Sequence, residues 1–166
     1  YGIDIPKFIQ PELGEYVQVY SESVGREISS EEVYSIFEKN YMDIDNPYTL
    51  IRYWPRPDDD DPTLIHGEVH MKIEGKKTIF KADGNGPISA FVSAIRKKID
   101  FNFSVEDYHE QAIGKGANAK ALAFVPIKLD DREIVYGGGI DSNIDQAAVK
   151  AIISGLNRYA QKLESY

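Results

Sequence analysis

Apolar and polar positions follow two different periods along this chain, and the change of period divides it. Leu13, Tyr16, Val17, Tyr20 and Val24 recur at helical spacing, with Pro11 in the first turn and Gly25 placed to end the element. Ser29 stands three residues before Glu32, a capping-box spacing, ahead of a second stripe of Val33, Ile36, Phe37 and Tyr41. Two helices are predicted. The polar, proline-punctuated segment 43–47 (DIDNP) reads as a linker between these helices and the rest of the chain.

From Tyr48 the period becomes two. Residues 48–54 suit a strand, and Asp58, Asp59, Asp60 and Asp61 make an acidic loop after it. Ile65, Gly67, Val69, Met71 and Ile73 alternate with His66, Glu68, His70 and Lys72, which predicts a strand with one wet face. Glu74-Gly75-Lys76 turns into a strand over 77–81. Gly84-Asn85-Gly86-Pro87 then leads to a helix with Ile88, Phe91, Val92, Ile95 and Ile99 on its buried face.

That order recurs in the second half. Phe101, Phe103 and Val105 open a strand, 114–118 (GKGAN) is a loop, and Ala121, Ala123, Val125, Ile127 and Leu129 alternate on the next strand. Pro126 within it predicts an edge or a bulge. Asp130-Asp131-Arg132 turns into 133–136, and Gly137-Gly138-Gly139 reads as a second glycine loop. A long helix comes next, with Ile144, Ala147, Ala148, Ala151, Ile152, Leu156, Tyr159 and Leu163. At an offset of 56 residues Ile79-Phe80 superposes on Val135-Tyr136, and Ile88 and Ile95 on Ile144 and Ala151. The predicted fold class is α+β: two pseudo-repeated βββα units over 47–166, preceded by a small helical linker subdomain over 1–46.

Composition narrows the function. The 166 residues are 42% hydrophobic and 28% charged, values of a globular chain with a real core. No apolar run approaches the roughly 18 residues of a membrane span. There is no cysteine, which removes disulfides, thiolate metal sites and a cysteine nucleophile. A net charge of -8 repels phosphate backbones and speaks against a nucleic-acid partner. Tyr1 in place of Met, with no signal pattern behind it, reads as a piece of a longer chain whose targeting segment is unseen.

The two glycine loops are the candidate chemistry. Glycines before a helix can turn backbone amides toward an anion, or they can simply make a tight strand-to-helix turn. Neither loop is a nucleotide fingerprint, since GxxxxGK[ST] is absent and GNGP is not GxGxxG. His66 and His70 on one strand stand about 13 Å apart, too far to share a metal. His109 sits between carboxylates in Asp107-Tyr108-His109-Glu110, without a serine or cysteine nucleophile beside it. The acidic run at 58–61 lacks the ligand spacing of a calcium loop. The chain alone assembles no nucleophile, base and oxyanion hole.

Asp83-Gly84-Asn85-Gly86-Pro87-Ile88-Ser89-Ala90-Phe91 resembles the C-terminal regulatory domain of the 2-isopropylmalate synthase family. The likeness continues through Val105, Asp107-Tyr108, Ala112, Gly139-Ile140 and Asn157-Arg158. At the start, Ile5-Pro6-Lys7-Phe8-Ile9-Gln10 and the Glu27-Ile28-Ser29 cap are similar to that family's helical linker. The resemblance implies feedback inhibition by leucine and a homodimer. It implies that condensation of acetyl-CoA, 2-oxoisovalerate and water to 2-isopropylmalate and CoA occurs on a separate divalent-metal TIM barrel. The segment itself would then be inactive, without a cofactor, and cytoplasmic.

Carried over position by position, the resemblance places the effector at Gly84, Asn85, Gly86, Ile88, Ser89, Val105, Tyr108, Ala112, Ala119, Ile140 and Asp141. Amides of both glycine turns would hold the α-carboxylate. Asp141 or strand carbonyls would take the ammonium, and Ile88, Val105, Ala112 and Ala119 the isobutyl group beside Tyr108. Ser89 stands where many members of the family carry alanine or another small residue, and GGGID differs from the second turn of some long-form members. A citramalate synthase domain answering to isoleucine, and a dimerisation module without effector, are the alternatives.

Overall fold

The structure, a computed structural model, describes residues 3–130 and 132–165. Tyr1, and Asp131 of the expected turn after Leu129, lie outside the described residues. A 3₁₀ turn at Lys7–Ile9 runs into α1 (Gln10–Val24), which has Pro11 in its first turn. It ends at Gly25, whose φ of 70° is the left-handed conformation glycine adopts without strain. α2 (Ser30–Tyr41) starts with a complete capping box: the Ser29 hydroxyl accepts the Glu32 N–H, and the Glu32 carboxylate accepts the Ser29 N–H. The Arg26 guanidinium, together with that N–H, holds the Glu32 carboxyl down to about 2.

β1 (Tyr48–Pro57), β2 (Ile65–Ile73) and β3 (Lys76–Gly84) form an antiparallel sheet in chain order. The β2–β3 hairpin closes on Glu74 and Gly75, at φ 51° and 84°, the paired positive angles of a two-residue turn. α3 (Pro87–Arg96) lies on the inner face of this sheet, and Ile99, beyond its end, still reaches the core. The second sheet comprises β4 (Phe103–Val105), β5 (His109–Ile113), β6 (Lys120–Leu129) and β7 (Ile134–Asp141). α4 (Ile144–Glu164) packs on its inner face, with Ile144 and Leu163 exposed near its two ends.

Three expectations are corrected here. First, the opening strand of the second unit is broken: β4 and β5 both pair with β6, and the register slips between Val105↔Ile127 and His109↔Phe124. The break lies opposite Pro126, whose carbonyl accepts the Glu106 N–H at 3.3 Å but which has no N–H to return. Val105, Tyr108 and Ala112 therefore do not share one continuous strand.

Second, Gly137, Gly138 and Gly139 are not a loop. They run inside β7, paired with Val125, Phe124 and Ala123. A Cβ at Gly137 would come closer than 3.0 Å to the backbone of Ala151 and Gly155, and one at Gly139 to that of Ala147 and Ala151. A Cβ at Gly138, on the opposite face, would strike the Met42 sulfur. The triplet lets the strand lie directly against α4 on one side and Met42 on the other.

Third, the repeat is one residue out of step with the expected pairing. Gly84 and Pro87 correspond to Asp141 and Ile144, so Phe80 matches Gly137 and not Tyr136. A shift of one matters because it exchanges the faces of a strand. Phe80 and Gly137 both face inward, whereas Tyr136 faces the N-terminal helices.

One core holds both inner sheet faces together with α3 and α4, including Tyr53, Val69, Met71, Phe91, Ile95, Ile127, Ile152 and Leu156. A second core joins the outer face of the second sheet to α1 and α2, through Leu13, Phe37, Tyr41, Leu122 and Phe124. Phe124 is its hub, with ring centroids 5.9, 5.9 and 5.6 Å from Phe8, Phe37 and Tyr41. Each such buried side chain contributes about 1.5–3 kcal/mol, so this contact outweighs the exposed Arg26–Glu32 pair as the reason the helices dock.

Candidate functional site

The first glycine turn is built by steric necessity. Gly84 ends β3 opposite Ile65, and the first turn of α3 folds over it. A Cβ on Gly84 would lie 2.7 Å from the Ser89 hydroxyl and 2.8 Å from the Ala90 Cα. Gly86 is different, with extended backbone (φ -165°) and open space where its Cβ would stand. α3 begins there without any side-chain cap, and Pro87 brings no N–H to its first position. The Pro87 carbonyl accepts a 2.6 Å bond from the Tyr53 hydroxyl, which burial pushes up in pKa and so keeps protonated. Asn85 and Ser89 are exposed, while Ile88 packs against the main core.

The second turn is its electrostatic opposite. The Asp141 carboxylate accepts the Asn143 N–H at 2.9 Å and pairs with the Lys150 ammonium at 2.9 Å. Burial alone would raise this carboxyl, but the amide and the ammonium overcome it and hold it below its ordinary value. Asn143 then caps α4 by accepting the Gln146 N–H. The first turn thus presents uncapped amides, and the second a carboxylate.

The remaining expected site residues fall on both faces of the second sheet. Ala112 pairs with Ala121, which pairs with Asp141, so these three form one row on the face toward α4. Val105 shares that face and packs against the main core. Ile140 turns the opposite way and packs under the helical layer, leaving only its carbonyl, which accepts Lys150 Nζ at 3.3 Å. Ala119 follows the 3₁₀ turn Gly116–Asn118. Tyr108, 40% exposed, lines a groove with the 3–7 segment, and Asp141 lines a different groove beside Tyr53 and Gln146.

Sequence reasoning passed over the ties behind the first turn. Both ring nitrogens of His66 meet carboxylate oxygens at 2.7 Å, Nδ1 on Asp83 and Nε2 on Asp58. Asp58 also accepts the amides of Asp60 and Asp61, so the acidic run is an ordered loop clamped to the residue before Gly84. His70 meets Glu68 at 2.7 Å, and Lys81 reaches the same carboxylate at 3.3 Å. The signal was present: His66↔Asp83 and Glu68↔Lys81 are equidistant from the Glu74-Gly75 turn. His109 lies 3.7 Å from Asp107 and rests against Phe8. Among the described residues no cluster of three or more His, Cys, Asp or Glu is placed to hold a metal, and no helix is long and apolar enough to cross a membrane.

Two tightly packed βββα units, with a carboxylate at one strand-to-helix turn and uncapped amides at the other, define an α+β domain, and comparison with known proteins assigns its family. Residues 27–160 match the family model of the LeuA allosteric (dimerisation) domain, and the chain belongs to that family. It is 34% identical over 164 residues to a 2-isopropylmalate synthase of Rhodospirillum rubrum, an alignment covering 98% of the chain and 29% of the relative. To the 2-isopropylmalate synthase of Pseudomonas putida (strain W619) it is 32% identical over 166 residues, covering 99% and 28%. To that of Acetoanaerobium sticklandii it is 30% identical over 158 residues, covering 95% and 28%. The chain thus spans less than a third of the length of these relatives.

Proposed function

We propose that this chain is the effector-sensing part of a 2-isopropylmalate synthase, binding leucine for feedback inhibition and pairing with a second copy of itself. The observation that carries the reading is the asymmetry of the two helix starts. An amino acid brings one carboxylate and one ammonium; the uncapped start of α3 suits the first, and Asp141 suits the second. Gly84, Asn85, Gly86 and Ser89 would hold the carboxylate, with Asp141 and the Ile140 carbonyl at the other end. Ile88, Val105, Ala112 and Ala119, with Tyr108 as a wall, would receive the branched side chain. Sites contributed by two copies would bring together Tyr108 and Asp141, which one copy keeps in separate grooves.

In this reading residues 1–46 are a linker subdomain and 47–166 the effector domain of a cytoplasmic enzyme. Condensation of acetyl-CoA with 2-oxoisovalerate belongs to the rest of that enzyme, with its divalent metal, and this chain alone is inactive. Calorimetric titration with leucine, isoleucine and valine tests the effector. Saturable binding with leucine preferred is expected; isoleucine preference would point to citramalate synthesis. The informative variant is Gly86→Asp, because its side chain enters open space and can cap α3 while repelling a carboxylate. It should fold as stably as the parent and lose leucine binding. Gly84→Asp is a poor probe, since it collides with α3 whatever the ligand. A folded chain that binds none of the three amino acids would leave only dimerisation.

A further inference from the structure

One face of α4 holds the backbone of the segment that connects α2 to β1. Ser154, Asn157, Arg158 and Gln161 stand at spacings of three and four, which places them on a single stripe. The Ser154 hydroxyl donates to the Tyr41 carbonyl at 2.7 Å and accepts the Ile44 N–H at 3.3 Å. The Asn157 amide, fully buried, accepts the Tyr48 N–H at 2.8 Å and donates to the Ile44 and Tyr48 carbonyls at 2.7 Å each. Gln161 donates to the Asn46 carbonyl at 2.7 Å. Arg158 extends the stripe to α1: it bonds Glu12 at 3.2 Å, Tyr16 at 3.0 Å and the Tyr136 carbonyl at 2.7 Å, and it lies 4.4 Å over the Tyr41 ring.

We infer that α4 is a coupling rod, and that the connecting segment is a strut fixed to it and no flexible tether. The geometry gives the reason. The carbonyls of Tyr41, Ile44, Asn46 and Tyr48 and the amides of Ile44 and Tyr48 find their partners on α4 side chains, so the helical layer cannot shift without breaking these hydrogen bonds, most of them shielded from water. One turn before Ser154 on the same helix, Lys150 pairs with Asp141 and donates to the Ile140 carbonyl at the close of β7. The stretch of α4 from Lys150 to Gln161, about 16 Å long at the helical rise, thus joins the second turn to the helical layer in one rigid element. α3, with 10 residues, stops before it could carry an equivalent stripe. The rod would carry effector occupancy to the helices, a role that rests on the effector reading; the coupling itself does not.

Hydrogen exchange on the whole chain tests the coupling without any ligand. In Arg158→Gln, amides of α1 and α2 should exchange about tenfold faster, while β2, β3 and α3 stay within about twofold of the parent. Equal acceleration over both sheets would reduce Arg158 to a general stabiliser, and unchanged exchange in α1 and α2 would remove the rod; either overturns the inference. Gln161→Ala, milder, should loosen only residues around 44–48, and a rise spread over both sheets instead would count against the strut. Leucine then separates the two readings. If the parent binds it, Arg158→Gln should keep the affinity within about twofold but lose any leucine-induced protection of α1 and α2; retained protection would overturn the rod. If the parent does not bind it, the effector reading fails and the unliganded exchange alone decides the coupling.

Discussion

The two βββα units share an inner architecture and differ in what covers the outer face of each sheet. On the first sheet that face is open and carries His66, Glu68, His70 and Lys81, with Trp54 and Ile79 45% and 54% exposed. On the second it is sealed by α1 and α2 over Leu122 and Phe124. The difference is written into the strands. β2 alternates apolar with charged residues, whereas Leu122, Ala123, Phe124 and Val125 of β6 are all buried in succession. Alternation marks a strand with one wet face, and an unbroken apolar run marks one enclosed on both sides. The helices differ in the same sense, for α3 packs on its own sheet and on α4, whereas α4 packs on both sheets, on α3 and on the helical layer.

The sharpest way to break the comparison is to truncate one outer-face residue on each sheet. Phe124→Ala should cost about 4 kcal/mol in denaturant unfolding, because it opens a cavity among aromatic rings. Ile79→Ala on the open face should stay within about 0.5 kcal/mol. Equal costs would mean that the first face is also covered in solution. Next come the glycines. Gly137→Ala should lose about 3 kcal/mol or fail to fold, since β7 and α4 touch backbone to backbone, whereas Gly86→Ala should change stability by less than about 1 kcal/mol. A harmless Gly137→Ala would return the triplet to a loop.

Smaller effects sharpen the picture. Ser29→Ala should cost about 1 kcal/mol by removing the cap of α2, and circular dichroism should show the loss confined to helix signal. The smallest concerns pH. Hydrogen bonds to Asp58 and then Asp83 raise the His66 pKa above its ordinary 6.5, so its contribution is complete below about pH 6.5 and drains as pH rises through the raised value. The Asp58 carboxyl is lowered from 3.8 by His66 and the loop amides, so its part is complete above that pH and is lost as pH falls through the lowered value. The clamp is therefore strongest between about pH 4 and 6.5. A proton NMR titration should give His66 a midpoint above 6.5 that falls in Asp58→Asn; a midpoint at or below 6.5 in the parent would deny the clamp.

Much of the fold was legible because it depends on neighbours in sequence. The Ser29–Glu32 box, the Gly25 stop, the Glu74-Gly75 hairpin and the alternation of β2 are local agreements between residue type and backbone conformation. The same holds for the glycine turn at 84–86 as a strand-to-helix junction. The broken strand opposite Pro126 was half legible: the proline announced a disturbance, but only the pairing shows which neighbour loses its partner.

The rest was decided in three dimensions. Glycines look alike in sequence whether they relieve a turn or admit a helix, and what assigns Gly137 and Gly139 is the backbone of α4 standing where a Cβ would be. Asn157 and Arg158 carry part of the family likeness in sequence, but what they do shows only when the chain of residues 41–48, more than a hundred positions earlier, comes to lie against them. Ile140 and Asp141 are adjacent in sequence, yet a strand sends their side chains to opposite faces. The sequence by itself determined the elements, their order and their periodic faces, because these follow from local sterics and hydrophobic spacing. Which surfaces meet, and therefore which polar groups find partners, only the tertiary structure decided, since burial and hydrogen bonding depend on contacts that no local pattern encodes.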